Sequence, residues 1–200
     1  MNVDFVVLAA GKGQRMLGNS PKVLMPLGGK PMAQHLLNTL KEIKGSRPIV
    51  VIGEQASEVK NALEAPKNTK WVRQKKQLGT GHAVKAATPL FRRGSVVVVL
   101  YGDVPLVQAK TLKSLIKMAS KDHLAVLTFK RTNPHKYGRV IRGSHNQVEA
   151  IVEERDATKE QKKIKEVNSG ILAINSIYLK KLLPLIKNNN AAREYYLTDI

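Results

Sequence analysis

The chain has 200 residues, 42% of them hydrophobic, no cysteine, and a formal net charge of +19. Such a chain is long and apolar enough to bury the core of one domain, and it excludes a disordered polymer, a disulfide scaffold and thiolate chemistry. No apolar run approaches a membrane length and the N-terminus lacks the charged start of a signal peptide, so the expected compartment is the cytoplasm. Residues 3–9 read as a buried strand, and 31–43 as a helix with Pro31 at its start and Met32, Leu36, Leu37, Leu40 and Ile43 on one face. Strand 48–53, helix 54–63, strand 69–73 and helix 81–91 follow. Residues 96–100 form a pure apolar run between Gly94 and Gly102, the pattern of a central parallel strand. Helix 110–120 and strand 124–130 complete this alternation, which predicts a three-layer α/β, Rossmann-like domain with a mostly parallel sheet.

The pattern then changes. Short strands at 139–142 and 147–153 flank a polar Gly-Ser-His-Asn turn, which predicts a small antiparallel insert over one edge of the sheet. A strand at 171–174 and a helix at 177–187 follow, and residues 195–200 read as the start of a helix. The basic cluster 159–165 includes Glu160 and precedes Glu166, as on a solvated helical face.

Four features carry chemistry. Leu8-Ala-Ala-Gly-Lys-Gly-Gln-Arg-Met16 follows the first strand. In open α/β sheets ligands bind at the carboxyl ends of strands, and the small residues Ala9, Ala10, Gly11 and Gly13 let backbone N–H groups approach an anion. A simple tight turn remains the alternative. Asp103 follows the central strand, where a carboxylate either holds Mg²⁺ together with phosphate oxygens or caps the turn before Pro105. Gln74 follows the strand ending at Arg73. Its amide offers a donor and an acceptor to a nucleobase edge, or lies solvated on the surface. Gly79 and Thr80 precede a helix, where Thr80 is positioned to cap it and the helix start to contact a polar ligand.

The first motif, followed by Pro21-Lys22-Val-Leu, resembles the signature of the sugar-nucleotide pyrophosphorylases. Further motifs are Gln77-Leu-Gly-Thr-Gly-His-Ala83, Tyr101-Gly-Asp-Val-Pro-Leu106, Tyr137-Gly-Arg139, Ile151-Val-Glu153, Asn168-Ser-Gly170 and Glu194-Tyr-Tyr-Leu-Thr-Asp199. Together they are similar to the uridyltransferase half of bacterial bifunctional N-acetylglucosamine-1-phosphate uridyltransferases, from Val3 to Ile200. The resemblance implies Mg²⁺-dependent transfer of UMP from UTP to N-acetylglucosamine 1-phosphate. It implies catalytic roles for Arg15 and Lys22, a metal ligand in Asp103, and nucleotide contacts from Leu8, Ala9, Ala10, Gly11, Gly13, Gln74, Gly79 and Thr80. The sugar pocket would be lined by Tyr101, Gly102, Gly138, Glu153 and Asn168. His35 and His82 receive no chemical role.

The family's domain continues further, with an Asn that completes the metal site, and no residue here matches it. The hexapeptide repeats of the family's acetyltransferase β-helix are also absent, so residues 1–200 read as a C-terminally truncated uridyltransferase domain. Weakened turnover is therefore the expectation. The rival within the class is a related enzyme using glucose 1-phosphate. The rival outside it is a non-catalytic nucleic-acid-binding module, disfavoured because three Phe, one Trp and five Tyr form no aromatic-and-basic stacking platform.

Overall fold

The computed structural model describes residues 1–11, 20–119 and 123–200. The elements in chain order begin with β1 (Val3–Ala9), the two-residue strands β2 (Pro26–Leu27) and β3 (Lys30–Pro31), α1 (Met32–Lys41), β4 (Ser46–Ile52) and α2 (Ala56–Ala62). They continue with β5 (Lys70–Arg73), α3 (Thr80–Ala87), β6 (Val96–Tyr101), α4 (Ala109–Ala119), β7 (Ala125–Lys130), β8 (Arg139–Arg142), β9 (Val148–Val152), β10 (Glu166–Asn175) and α5 (Ser176–Leu182).

Strands β5, β4, β1 and β6 lie side by side and parallel, with Val7 of β1 between Val50 of β4 and Leu100 of β6. Burial on both faces explains their apolar runs. Val3, Phe5 and Val7, with Val96, Val98 and Leu100, point toward α1, α2 and α4, where they meet Leu36, Leu37, Leu40, Val59, Leu112 and Ile116. Val6, Val97 and Val99 point the other way, toward Ala83, Val84 and Ala87 of α3 and Leu179 of α5. The result is the expected helix–sheet–helix sandwich. Helix α4 forms because Leu112, Leu115, Ile116 and Ala119 recur at helical spacing while lysines occupy the other face. Helix α5 starts where Asn175 Oδ1 accepts the Ile177 N–H at 2.9 Å.

Beyond β6 the sheet becomes antiparallel. Strand β10 pairs with β6 and β7 through its second half and with β7 and β8 through its first, and β9 closes the edge. The β8–β9 hairpin therefore extends the sheet rather than lying over its edge. Strand β10 also begins at Glu166, five residues before the strand expected at 171. Its first half is polar, and a bulge between Asn168 and Leu172, with Gly170 at φ +81°, interrupts the alternation. Pro184 ends α5 in a 3₁₀ turn, Leu183–Leu185. The basic cluster holds only a 3₁₀ turn, Gln161–Lys163, as does the C-terminal segment, Leu197–Asp199.

Two carboxylates pin the frame. Asp4, fully buried on β1, accepts from Arg47 Nε at 2.9 Å, Arg92 Nε at 2.8 Å, Arg92 N at 2.8 Å and Ser95 Oγ at 2.8 Å. Glu166 accepts from Arg142 Nε at 2.8 Å and Nη2 at 2.6 Å, and from Thr128 Oγ1 at 2.7 Å. The Arg142 hydrogen bonds hold the Glu166 carboxyl down at about 2. A depressed acid stabilises the fold above its unfolded pKa and loses that contribution as pH falls through its folded pKa. Glu166→Gln is therefore expected to flatten the acid limb of the stability–pH curve between about pH 4.5 and 2, modestly because the pair is partly solvated. Urea denaturation at several pH values checks this; an unchanged acid slope would rule the contribution out. Among the described residues no helix is long and apolar enough to cross a membrane.

Candidate nucleotide site at the carboxyl ends of the parallel strands

From β1 the chain crosses to β4 and β5 on one side, then returns to β6 on the other, so β1 and β6 flank a topological switch point. Crevices at such points, outside the carboxyl ends of the strands, are where open α/β sheets bind ligands. A cleft of about 260 Å³ opens there. Leu8, Ala10 and Gly11 come from the end of β1, Gln74, Gln77 and Gly79 from the β5–α3 loop, Thr80 from the start of α3, and Tyr101 and Asp103 from the end of β6. Lys22 closes it from the Lys22–Leu24 turn. Ala9 faces a smaller neighbouring cavity with Ala10, Gly11 and Gly53. Among the described residues, none would lie within 4 Å of a Cβ on Gly11. Lys12, Gly13 and Arg15 lie outside the described residues.

Lys22 and Asp103, 81 residues apart, meet with Nζ 2.5 Å from Oδ2. Gly102 makes this possible. A Cβ there would lie 2.8 Å from Val23 Cγ1, so only glycine lets the Lys22 turn seat against the β6 end. The Gly102 N–H donates to Leu8 O at 2.9 Å and ties that loop to β1.

Gly79 has φ +107°, and a Cβ on it would lie 2.6 Å from Tyr195 O. Gly79 itself occupies the start of α3. Thr80 therefore does not cap this helix as the sequence suggests. It is already the first helical residue, and its Oγ1 accepts the Leu197 N–H at 3.0 Å. The C-terminal segment is clasped further by Tyr195 N–H donating to Leu78 O and Gly81 N–H donating to Tyr195 O, both at 2.8 Å. Gln74, buried, directs its amide nitrogen to Gly79 O at 3.2 Å and to His82 Nδ1 at 3.0 Å.

A second cavity of about 190 Å³ adjoins the cleft and shares Thr80, Tyr101 and Glu194 with it. Glu153, Asn168, Gly170, Tyr196 and Thr198 also line it. The Tyr101 ring lies against Gly170, where any side chain would collide with it. Burial, with Glu153 and Asp103 nearby, pushes the Tyr101 hydroxyl up to about 12, so it stays a neutral donor. Burial also raises Glu153, opposed by a hydrogen bond from Thr198 Oγ1 at 3.2 Å and reinforced by Asp156, Asp199 and Glu194. Asn168 Oδ1 accepts the Gly170 N–H at 2.9 Å, and its own N–H donates to Gly138 O at 2.9 Å. A Cβ on Gly138 would sit 3.3 Å from the Glu153 carboxylate. Gln77, Glu194, Tyr196 and Thr198 also line these cavities without having been assigned roles from sequence, although all four stand inside the quoted motifs. Among the described residues no group of three or more His, Asp or Glu could hold a metal ion unaided.

A parallel sheet with a lysine–carboxylate pair and a buried amide at its switch point defines a nucleotide-binding α/β domain. The MobA-like NTP transferase domain matches residues 5–167, and the chain belongs to that family. More particularly, it is 46% identical over 198 residues to the bifunctional protein GlmU of Cellvibrio japonicus, covering 99% of this chain and 44% of that protein. It is 48% identical over 195 residues to GlmU of Marinobacter nauticus, covering 98% of this chain and 43% of the relative. The chain thus spans less than half the length of the curated relatives it matches. Among solved structures, a UDP-glucose pyrophosphorylase complexed with UDP-glucose superposes with a TM-score of 0.79 at 21% identity, over 100% of this chain and 85% of that one. The inositol-1-phosphate CTP transferase from T. maritima gives 0.72 at 23% identity, over 98% and 78%. These two share the fold.

Proposed function

We propose that this domain, residues 1–200, transfers UMP from UTP to N-acetylglucosamine 1-phosphate, forming UDP-N-acetylglucosamine and pyrophosphate. The observation that carries this reading is the meeting of Lys22, Asp103 and the Gln74 amide at one switch-point cleft, in a chain nearly half identical to GlmU proteins. An oxygen of the sugar phosphate attacks the α-phosphorus of UTP, a P–O bond forms, and the bond to the β-phosphate breaks with pyrophosphate leaving. Two anions must meet, so the protein's task is to position them and neutralise charge.

Lys22 supplies a point charge beside the α-phosphate; its side chain is 45% exposed and can turn from Asp103 to a phosphate oxygen. Leu8, Ala9, Ala10, Gly11 and Gly13 present backbone to the nucleotide, and Arg15 meets the departing phosphates. Gln74, Gly79 and Thr80 face the base and ribose. Tyr101, Gly102, Gly138, Glu153 and Asn168 receive the amino sugar, where neutral phenol, carboxylate and amide suit hydroxyl and amide groups. Mg²⁺ binds through one or two carboxylates plus substrate phosphates, a pattern that Asp103 fits, so Asp103 would be its protein ligand. When bound, the ion neutralises charge on the nucleotide and sugar phosphates. The activity belongs to cytoplasmic supply of an activated amino sugar for peptidoglycan and cell-wall synthesis.

The test is pyrophosphate release from UTP and N-acetylglucosamine 1-phosphate with Mg²⁺, beside CTP, GTP and glucose 1-phosphate. Turnover confined to UTP and the N-acetyl sugar is expected. Faster turnover with glucose 1-phosphate would overturn the sugar assignment, and absence of both turnover and UTP binding would overturn the whole reading.

A further inference from the structure

We infer that His82 is a positioning residue that sets which end of the Gln74 amide faces the nucleobase, and so discriminates uracil from cytosine. This rests on the nucleotide site proposed above. The Gln74 amide lies 3.2 Å from Gly79 O, which can only accept a hydrogen bond. The end of the amide on that side must therefore be the nitrogen. The same nitrogen lies 3.0 Å from His82 Nδ1. Its second hydrogen points there, so Nδ1 must be the bare, accepting nitrogen and the ring proton must sit on Nε2. Both amide hydrogens are then turned inward. The amide oxygen is the polar group left for the cleft that Gln74 lines.

An oxygen acceptor at that edge suits a base with an N–H there. Uracil carries a proton on N3; cytosine carries a lone pair on the same atom and would face the oxygen with like charge. Base choice is thus governed by a hydrogen bond that a wrong partner leaves unpaired, the arrangement that discriminates most strongly. The placement of His82 supports this role. It stands in the first turn of α3, three residues after Gly79, so one short segment supplies both acceptors that orient the amide. On its other side the ring borders a cavity of about 430 Å³ lined by Lys85, Lys187 and Tyr195, among others, with no carboxylate among the described lining residues.

Titration calorimetry with UTP and with CTP tests this on the wild-type chain, His82→Leu and His82→Asn, with melting temperatures measured alongside. Leucine removes the acceptor, whereas the asparagine side-chain oxygen can stand in for Nδ1. The expected result is a UTP/CTP affinity ratio that falls by about tenfold in His82→Leu, the worth of roughly one hydrogen bond, and recovers in His82→Asn. Both nucleotides sample the same folded fraction, so loss of stability alone leaves the ratio unmoved. A ratio unchanged in His82→Leu would overturn the inference while leaving the nucleotide site intact. A wild-type chain with no preference for UTP would overturn the base reading beneath it.

Discussion

Lys22→Ala is expected to lower kcat for UTP and N-acetylglucosamine 1-phosphate by on the order of 10²-fold or more, the loss typical of removing one charge-stabilising donor. The motivating geometry is the 2.5 Å approach of Nζ to Asp103 Oδ2 at the cleft mouth. The lysine itself is exposed, and the turn is anchored by Val23, which is buried against Gly102. The variant should therefore fold normally, and Lys22→Arg should recover only part of the rate, because a planar fork replaces a compact ammonium. Asp103→Ala should fall as far in the same assay and show a shifted dependence on Mg²⁺ concentration, since it removes the carboxylate assigned to the ion. Steady-state kinetics with a melting curve for each variant decide the matter. Near-normal kcat in Lys22→Ala would remove the lysine from the mechanism.

Asp4→Ala carries the largest expected loss of stability. The carboxylate has no exposure and satisfies two guanidinium groups, a backbone N–H and the Ser95 hydroxyl at once. Removing one member of a buried ion-pair network costs about 3–5 kcal/mol, because the partners remain without it. Arg47 and Arg92 retain 17% and 27% side-chain exposure, so water recovers some of their solvation and the lower end of that range is expected. Urea denaturation should show a lower midpoint with an unchanged slope. The cluster sits at the amino ends of the parallel strands, opposite the cleft, so UTP affinity of the folded fraction should persist. An unchanged midpoint would mean that the arginines are fully satisfied by solvent.

The frame of the domain was readable from local pattern. Continuous β-branched runs such as Val96-Val-Val-Val-Leu100 mark strands buried on both faces, and the helical spacing of Leu112, Leu115 and Ile116 marks a helix with one buried side. The strand expected at 3–9 has the observed bounds, and the other helices and strands of the α/β half fall within a few residues of theirs. Pattern failed where tertiary pairing overrode it. Glu166, Asn168 and Ser169 give the first half of β10 a polar aspect, yet β7 and β8 recruit it from both sides. Thr80 has the chemistry of a cap, but Gly79 alone tolerates φ +107° beneath the Tyr195 carbonyl, and so displaces it.

By itself the sequence determined the layered α/β architecture and the positions of Gln74 and Asp103 just beyond strand ends, because each depends on residues close together in the chain. Only the tertiary structure decided that Lys22 faces Asp103 across 81 residues, that the segment Glu194–Thr198 walls the cavity of Glu153, and that His82 holds the Gln74 amide. Hydrogen bonds of 2.5–3.2 Å are set by which loops the switch point brings to one rim, and no periodicity along the chain encodes that distance.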